Sequence, residues 1–115
     1  MSIPPEILAL AQQLTDELDR IELQANKGLV LVSQFLERFP DDARLISLSV
    51  RVGNGLFFVD GFRNRIESII ESVSDPNVSI EAIQLAGEEL SEFWGRTLEC
   101  KIVVNRAMNI LESLQ

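Results

Sequence analysis

Cys100 is the only thiol in the chain, and histidine is absent. With no imidazole, neither a Ser-His-Asp nor a Cys-His nucleophile can be assembled, and a zinc site of the Cys/His kind is out of reach. A reactive cysteine needs exposure and a nearby base or cation that stabilises its thiolate. Cys100 falls instead on an apolar seam, with Glu99 and Lys101 projecting from other faces of the same helix, and reads as a small buried hydrophobe. Clustered carboxylates suggest a di-metal centre, yet ferritin-like centres require a Glu-x-x-His motif from two helices. The acidic residues therefore read as a solvated face. No catalytic residue, metal ligand or cofactor site emerges from residue types and spacing.

The remaining charged constellation is Arg63-Asn64-Arg65, which fits either an anion clamp or an ion-pair network between helices. Height favours the network. Helices folded back at Pro40 and Asn77, each rising about 1.5 Å per residue, bring the two arginines level with two acidic groups. Asp16, Glu17 and Asp19 form one group; Glu88, Glu89 and Glu92 form the other. The expected network joins Arg63 and Arg65 to Asp16, Asp19, Glu88 and Glu92. Exposed pairs of this kind contribute only ~0 to 1 kcal/mol each, but they help to fix register.

Charge narrows the partners. Eighteen acidic against ten basic residues give a net charge of −8, which repels polyanions at long range. Nucleic acid is therefore not an expected partner. Arginine outnumbers lysine among the basic residues, which suits fixed ion pairs better than a diffuse phosphate-binding field. The uncharged stretches fall far short of the ~20 residues of a membrane helix, so no membrane partner is expected either. Met1-Ser2-Ile3-Pro4-Pro5-Glu6 lacks the basic n-region of a signal peptide. A cytoplasmic location is the resulting expectation.

The elements that position these residues follow from apolar periodicity. Ile7, Ala11, Leu14, Leu18, Ile21, Ala25, Gly28, Val32, Phe35 and Phe39 alternate in steps of four and three, which is a heptad seam. Pro4 and Pro5 suit a first helical turn and Pro40 a stop, so the first helix should span 4–39. Asp41 or Asp42 can cap a second helix, whose seam reads Leu45, Val52, Val59, Ile66 and Val73. Ser79 can cap a third, with a seam from Ile83 through Leu90, Thr97, Cys100 and Val104 to Leu111 and Leu114. Only Thr97 breaks its apolar character. The expected fold is all-α: a single domain over residues 1–115, an antiparallel up-down-up bundle of three long helices.

One patch is ambiguous. Gly53-Asn54-Gly55 costs about 2 kcal/mol of helix propensity, and Leu48 to Val52 alternates like a strand. A β-hairpin turning at Asn54-Gly55 is the rival to a helix bent or broken at Gly53–Gly55. An isolated hairpin is marginal and the heptad continues on both sides, so the helix is preferred. On that reading, alanine at either glycine should stabilise the protein.

Two resemblances are visible. Asp16-Glu17-Leu18-Asp19-Arg20-Ile21 on a long first helix resembles the opening of the all-helical chorismate mutase family. That resemblance implies a small-molecule enzyme that binds and orients its substrate, with Arg20, Lys27, Arg44 and Arg51 as carboxylate binders. Leu56-Phe57-Phe58-Val59 and Lys101-Ile102-Val103-Val104-Asn105-Arg106 resemble segments of small cyanobacterial helical proteins likened to restriction endonuclease specificity subunits (subunit S). That likeness implies an accessory factor sharing the paired spacer helices of those subunits, and no catalytic residue.

The last informative feature is an excess of apolar side chains. Leu29, Val30, Leu31 and Val32, then Leu56, Phe57, Phe58 and Val59, encircle their helices instead of forming one stripe, and Trp94 follows Phe93 on the third helix. A three-helix core buries one stripe per helix. The surplus is expected to form a central belt that pairs with another chain, with Leu29, Val30, Leu31, Val32, Leu56, Phe57, Phe58 and Trp94 as interface candidates. The expected function is a non-enzymatic interaction or oligomerisation module, a homodimer or the receptor of a helical partner.

Overall fold

The computed structural model describes residues 3–115. Met1 and Ser2, which open the segment read above for a leader, lie outside the described residues. Three helices follow in order: α1 (Pro5–Arg38), α2 (Ala43–Ser72) and α3 (Ile80–Ser113). They form an all-α bundle in which every helix packs against both others. The bundle is a rod measuring 59 × 18 × 16 Å.

The helix ends are set by local chemistry. Pro4 stands before the first turn of α1, and its carbonyl accepts from the N–H groups of Ile7 and Leu8. Pro40 ends α1, and Asp42 N–H closes the turn on Phe39 C=O. Of the two candidate caps, Asp42 acts: its carboxylate accepts from the N–H groups of Arg44 and Leu45. Such caps satisfy donors that have no partner inside the helix. At the second turn Val78 N–H bonds to Asp75 C=O, and the Asp75 side chain accepts from Asn77 N–H. Ser79 Oγ then accepts from Ala82 N–H and starts α3.

The three seams meet in one buried cluster. Leu14, Leu18, Val32, Val52, Val59, Leu90, Val104 and Leu111 are all fully buried. The seams of α1 and α3 stop at one end of the rod, where Phe39 and Leu114 lie beyond the last helical turns and are exposed.

The glycine patch is helical. α2 runs unbroken from Ala43 to Ser72, and no glycine among the described residues has positive φ, so the hairpin at Asn54-Gly55 does not form. A Cβ on Gly28 would stand 3.3 Å from Val52 Cγ1 and 2.8 Å from Met108 Sδ. Side chains of α2 and α3 therefore pack directly on the α1 backbone at that level. Gly53, by contrast, has open space where its side chain would be.

By length and composition α2 is apolar enough to cross a membrane, with an 18-residue window of mean hydropathy 1.3. The uncharged stretches counted above are shorter than this window because a window average tolerates up to two charges. Only 28% of that window is buried in the bundle. Much of the apolarity of α2 therefore faces outward.

Candidate functional site

The charged network lies along the flanks of α2. Arg63 reaches α1, donating to Glu22 at 2.6 Å and to Asp19. The hydrogen bond to Glu22 is the main reason the guanidinium holds its proton more tightly than an ordinary arginine, and Asp19 adds to it against the opposing effect of burial. Arg65 reaches α3 and pairs with Glu89 at 3.2 Å. Arg63 thus ties α2 to α1 and Arg65 ties it to α3.

Three of the expected members are elsewhere. Asp16 accepts from Gln12 on its own helix, and Glu92 pairs with Arg96 one turn along α3. Glu88 is exposed and makes no ion pair among the described residues. Their heights suit the network, but side chains step round a helix by about 100° per residue, so neighbours at one height point in different directions. Asp19, Glu22 and Glu89 are the ones turned toward α2.

A second charged contact crosses from α1 to α3. Glu17 is buried on α1; Arg20 donates to it at 2.9 Å, and Lys101 Nζ stands 3.0 Å from its other oxygen. The Lys101 contact is an ion pair without good hydrogen-bond geometry, so that oxygen has no true donor. Thr97 is fully buried and its hydroxyl also finds no partner.

The apolar belt does not form one surface. Val32 is fully buried, and Leu29, Leu31, Leu56 and Trp94 are partly buried against the core. Val30, Phe57 and Phe58 remain exposed. Consecutive residues point to different sides of a helix, so an apolar run distributes itself among the core, the grooves and the solvent. On α2, Phe57 is 78% exposed and lies opposite the buried Val52 and Val59. Ile46, Val50, Gly53 and Phe57 recur there at spacings of four and three, and Ile46 and Val50 are exposed as well. Sequence reading missed Ile46 and Val50, because Val50 stands between the polar Ser49 and Arg51 and Ile46 adjoins the seam residue Leu45. Their spacing from Phe57 was the available signal.

Phe58 turns instead into a cleft between α2 and α3. Its ring stacks on Phe62 with centroids 5.8 Å apart, and Phe62 meets Phe93 of α3 at 5.3 Å. Arg96 lies 5.9 Å over the Phe93 ring. The cleft has a volume of about 360 Å³, with Gly55 and Cys100 among its lining and Arg51, Arg96 and Glu99 its charged residues. Cys100 is buried, its Sγ is 3.8 Å from Gly55 C=O, and desolvation pushes the thiol above its ordinary range. Nothing there activates it as a nucleophile.

Comparison with protein-family models, with curated proteins and with solved structures finds no match. The four basic residues suggested by the chorismate mutase resemblance do not share a pocket within the chain. Arg51 lines the α2/α3 cleft, Lys27 a shallow groove between α1 and α3, and Arg44 a hollow beside Phe39 and Leu114. Arg20 is held by Glu17. Among the described residues no group of three or more His, Cys, Asp or Glu side chains is placed to hold a metal ion.

Proposed function

We propose that the chain is a non-enzymatic helical pairing module, in which the outward face of α2 packs on the same face of a second copy. The observation that carries this reading is the stripe of Ile46, Val50 and Phe57, exposed by 46%, 56% and 78% on a helix whose opposite side is core. A helix apolar on two opposite sides is normally covered on both.

Charge supports a second copy as the occupant. The chain carries eighteen acidic residues, yet none lies in α2 between Ala43 and Val59. Two copies meeting there bring no carboxylates together, although each molecule is strongly anionic. Gly53 lies within the stripe with open space around it, so a facing side chain can approach the backbone closely. Two-fold pairing needs only one self-complementary patch, and this stripe supplies one.

Sedimentation equilibrium at tens of micromolar tests the proposal. The parent should be a dimer and Phe57→Glu a folded monomer, because a carboxylate buried in an apolar interface loses its hydration without gaining a partner. Phe58→Glu, on the cleft side of α2, should leave the dimer intact. A monomeric parent would refute pairing, and the stripe would then be left to a helix of another protein.

A further inference from the structure

We infer that the cleft between α2 and α3 is a binding site for a small aromatic monocarboxylate. This inference does not depend on pairing through the outward face of α2. Its volume of about 360 Å³ lies in the range that encloses a small organic molecule. The wall is aromatic: Phe58 and Phe62 are stacked, Phe62 continues into Phe93, and half of Phe58 is left uncovered. An exposed ring at the end of a stacked series offers its face to one more ring.

Charge selects the headgroup. Arg63, Arg65, Arg20 and Arg96 each hold a carboxylate within hydrogen-bond reach. Arg51, Arg38, Arg44 and Arg106 make no ion pair among the described residues, and of these four Arg51 is the one that lines this cleft. Arg96 lines it too, and its Glu92 partner is an exposed residue of its own helix that an incoming anion can displace. A guanidinium presents planar paired donors that match a carboxylate. Glu99, also on the cleft, disfavours a second negative charge on the ligand and so points to a monoanion.

The floor fixes the shape. Gly55 carries no side chain, and a Cβ there would strike Val104, so the Val104 side chain packs directly on the α2 backbone. The Cys100 thiol rests on the Gly55 carbonyl. The base of the cleft thus offers no free charged group, and the ligand's apolar body lies against it while the carboxylate stays at the rim beside Arg51.

Titration of the ¹⁵N-labelled chain with 4-phenylbutyrate tests this by NMR. Shifts should concentrate at Asn54, Gly55, Phe58 and Val103. Arg51→Gln should weaken binding about tenfold, as loss of one charge-assisted hydrogen bond does, and the neutral 4-phenylbutyramide should bind the parent about as weakly. Arg51 is exposed and unpaired, so an unchanged far-UV spectrum for Arg51→Gln separates lost binding from lost folding. Phe57→Glu, altered on a different face of α2 that does not line the cleft, should keep the same shifts whether or not the chain pairs. Equal binding of acid and amide, shifts scattered over the surface, or none up to about 10 mM ligand would each overturn the site. So would loss of the shifts in Phe57→Glu.

Discussion

A methyl group on Gly55 would lie 2.6 Å from Cγ2 of Val104, closer than carbon atoms pack. The absence of a side chain at this position lets Val104 of α3 pack against the α2 backbone. Gly55→Ala should therefore destabilise the protein by ~1 to 3 kcal/mol, the usual cost of overpacking a core, despite alanine's better helix propensity. This reverses the expectation from composition, which treated both glycines of the patch alike. Gly61 has nothing near its missing side chain, so Gly61→Ala should stabilise by up to ~1 kcal/mol. Urea unfolding of the two variants checks the contrast in sign.

Lys101→Met should cost more than the exposure of Lys101 suggests. Its ammonium stands beside Glu17, whose side chain is only 8% exposed and would be left with Arg20 alone. A loss of ~1 to 3 kcal/mol is expected for an under-satisfied buried charge. Replacing both partners, as Glu17→Met with Lys101→Met, should recover most of it, since a buried pair is often no more stable than apolar groups of similar volume. A double-mutant cycle measured by denaturation decides the matter.

Thr97→Val should stabilise the protein by ~1 kcal/mol. The Thr97 hydroxyl is fully buried without a hydrogen-bond partner, and valine keeps the shape of the side chain while removing the orphaned polar group. The thermal midpoint of the variant should rise by several degrees.

The Cys100 thiol should react slowly with thiol reagents in the native protein and rapidly in urea. Burial holds its proton above the ordinary value of 9.0, so above that pH the unfolded chain releases a proton that the folded chain keeps. The thiol's contribution is thus complete at neutral pH and declines as pH rises through the unfolded value. Cys100→Ala should lose less stability than the parent between neutral and strongly alkaline pH, which matched denaturation curves at the two ends would show.

Much of the fold is legible because the heptad spacing is regular. Leu14, Leu18, Val52, Val59, Leu90 and Val104 occupy predicted seam positions and are fully buried. The charged network is legible in one dimension only. Height along the rod correctly brings Arg63 to Asp19, but choosing Glu22 over Asp16, or Glu89 over Glu88 and Glu92, requires the rotation of each helix about its axis. The apolar belt failed for the same reason: adjacent residues such as Phe57 and Phe58 turn to different sides of α2. The cleft had no sequence signal, because Arg51, Phe58 and Arg96 are brought together only by the packing of α2 on α3.

The short turns at Pro40 and Pro76 also bear on how the rod assembles. α1 meets α2, and α2 meets α3, by closing loops of a few residues, whereas α1 meets α3 through pairs such as Ile7 with Gly87 and Gly28 with Met108. Those partners are separated by about 80 residues of chain, and the entropy of closing a loop rises with its length. Each helical hairpin needs only its own turn to close, but the parallel contact needs both turns. Truncating side chains along the α1/α3 seam should therefore leave the refolding rate nearly unchanged and speed unfolding, so that these contacts determine how long a folded molecule lasts and not how quickly it forms.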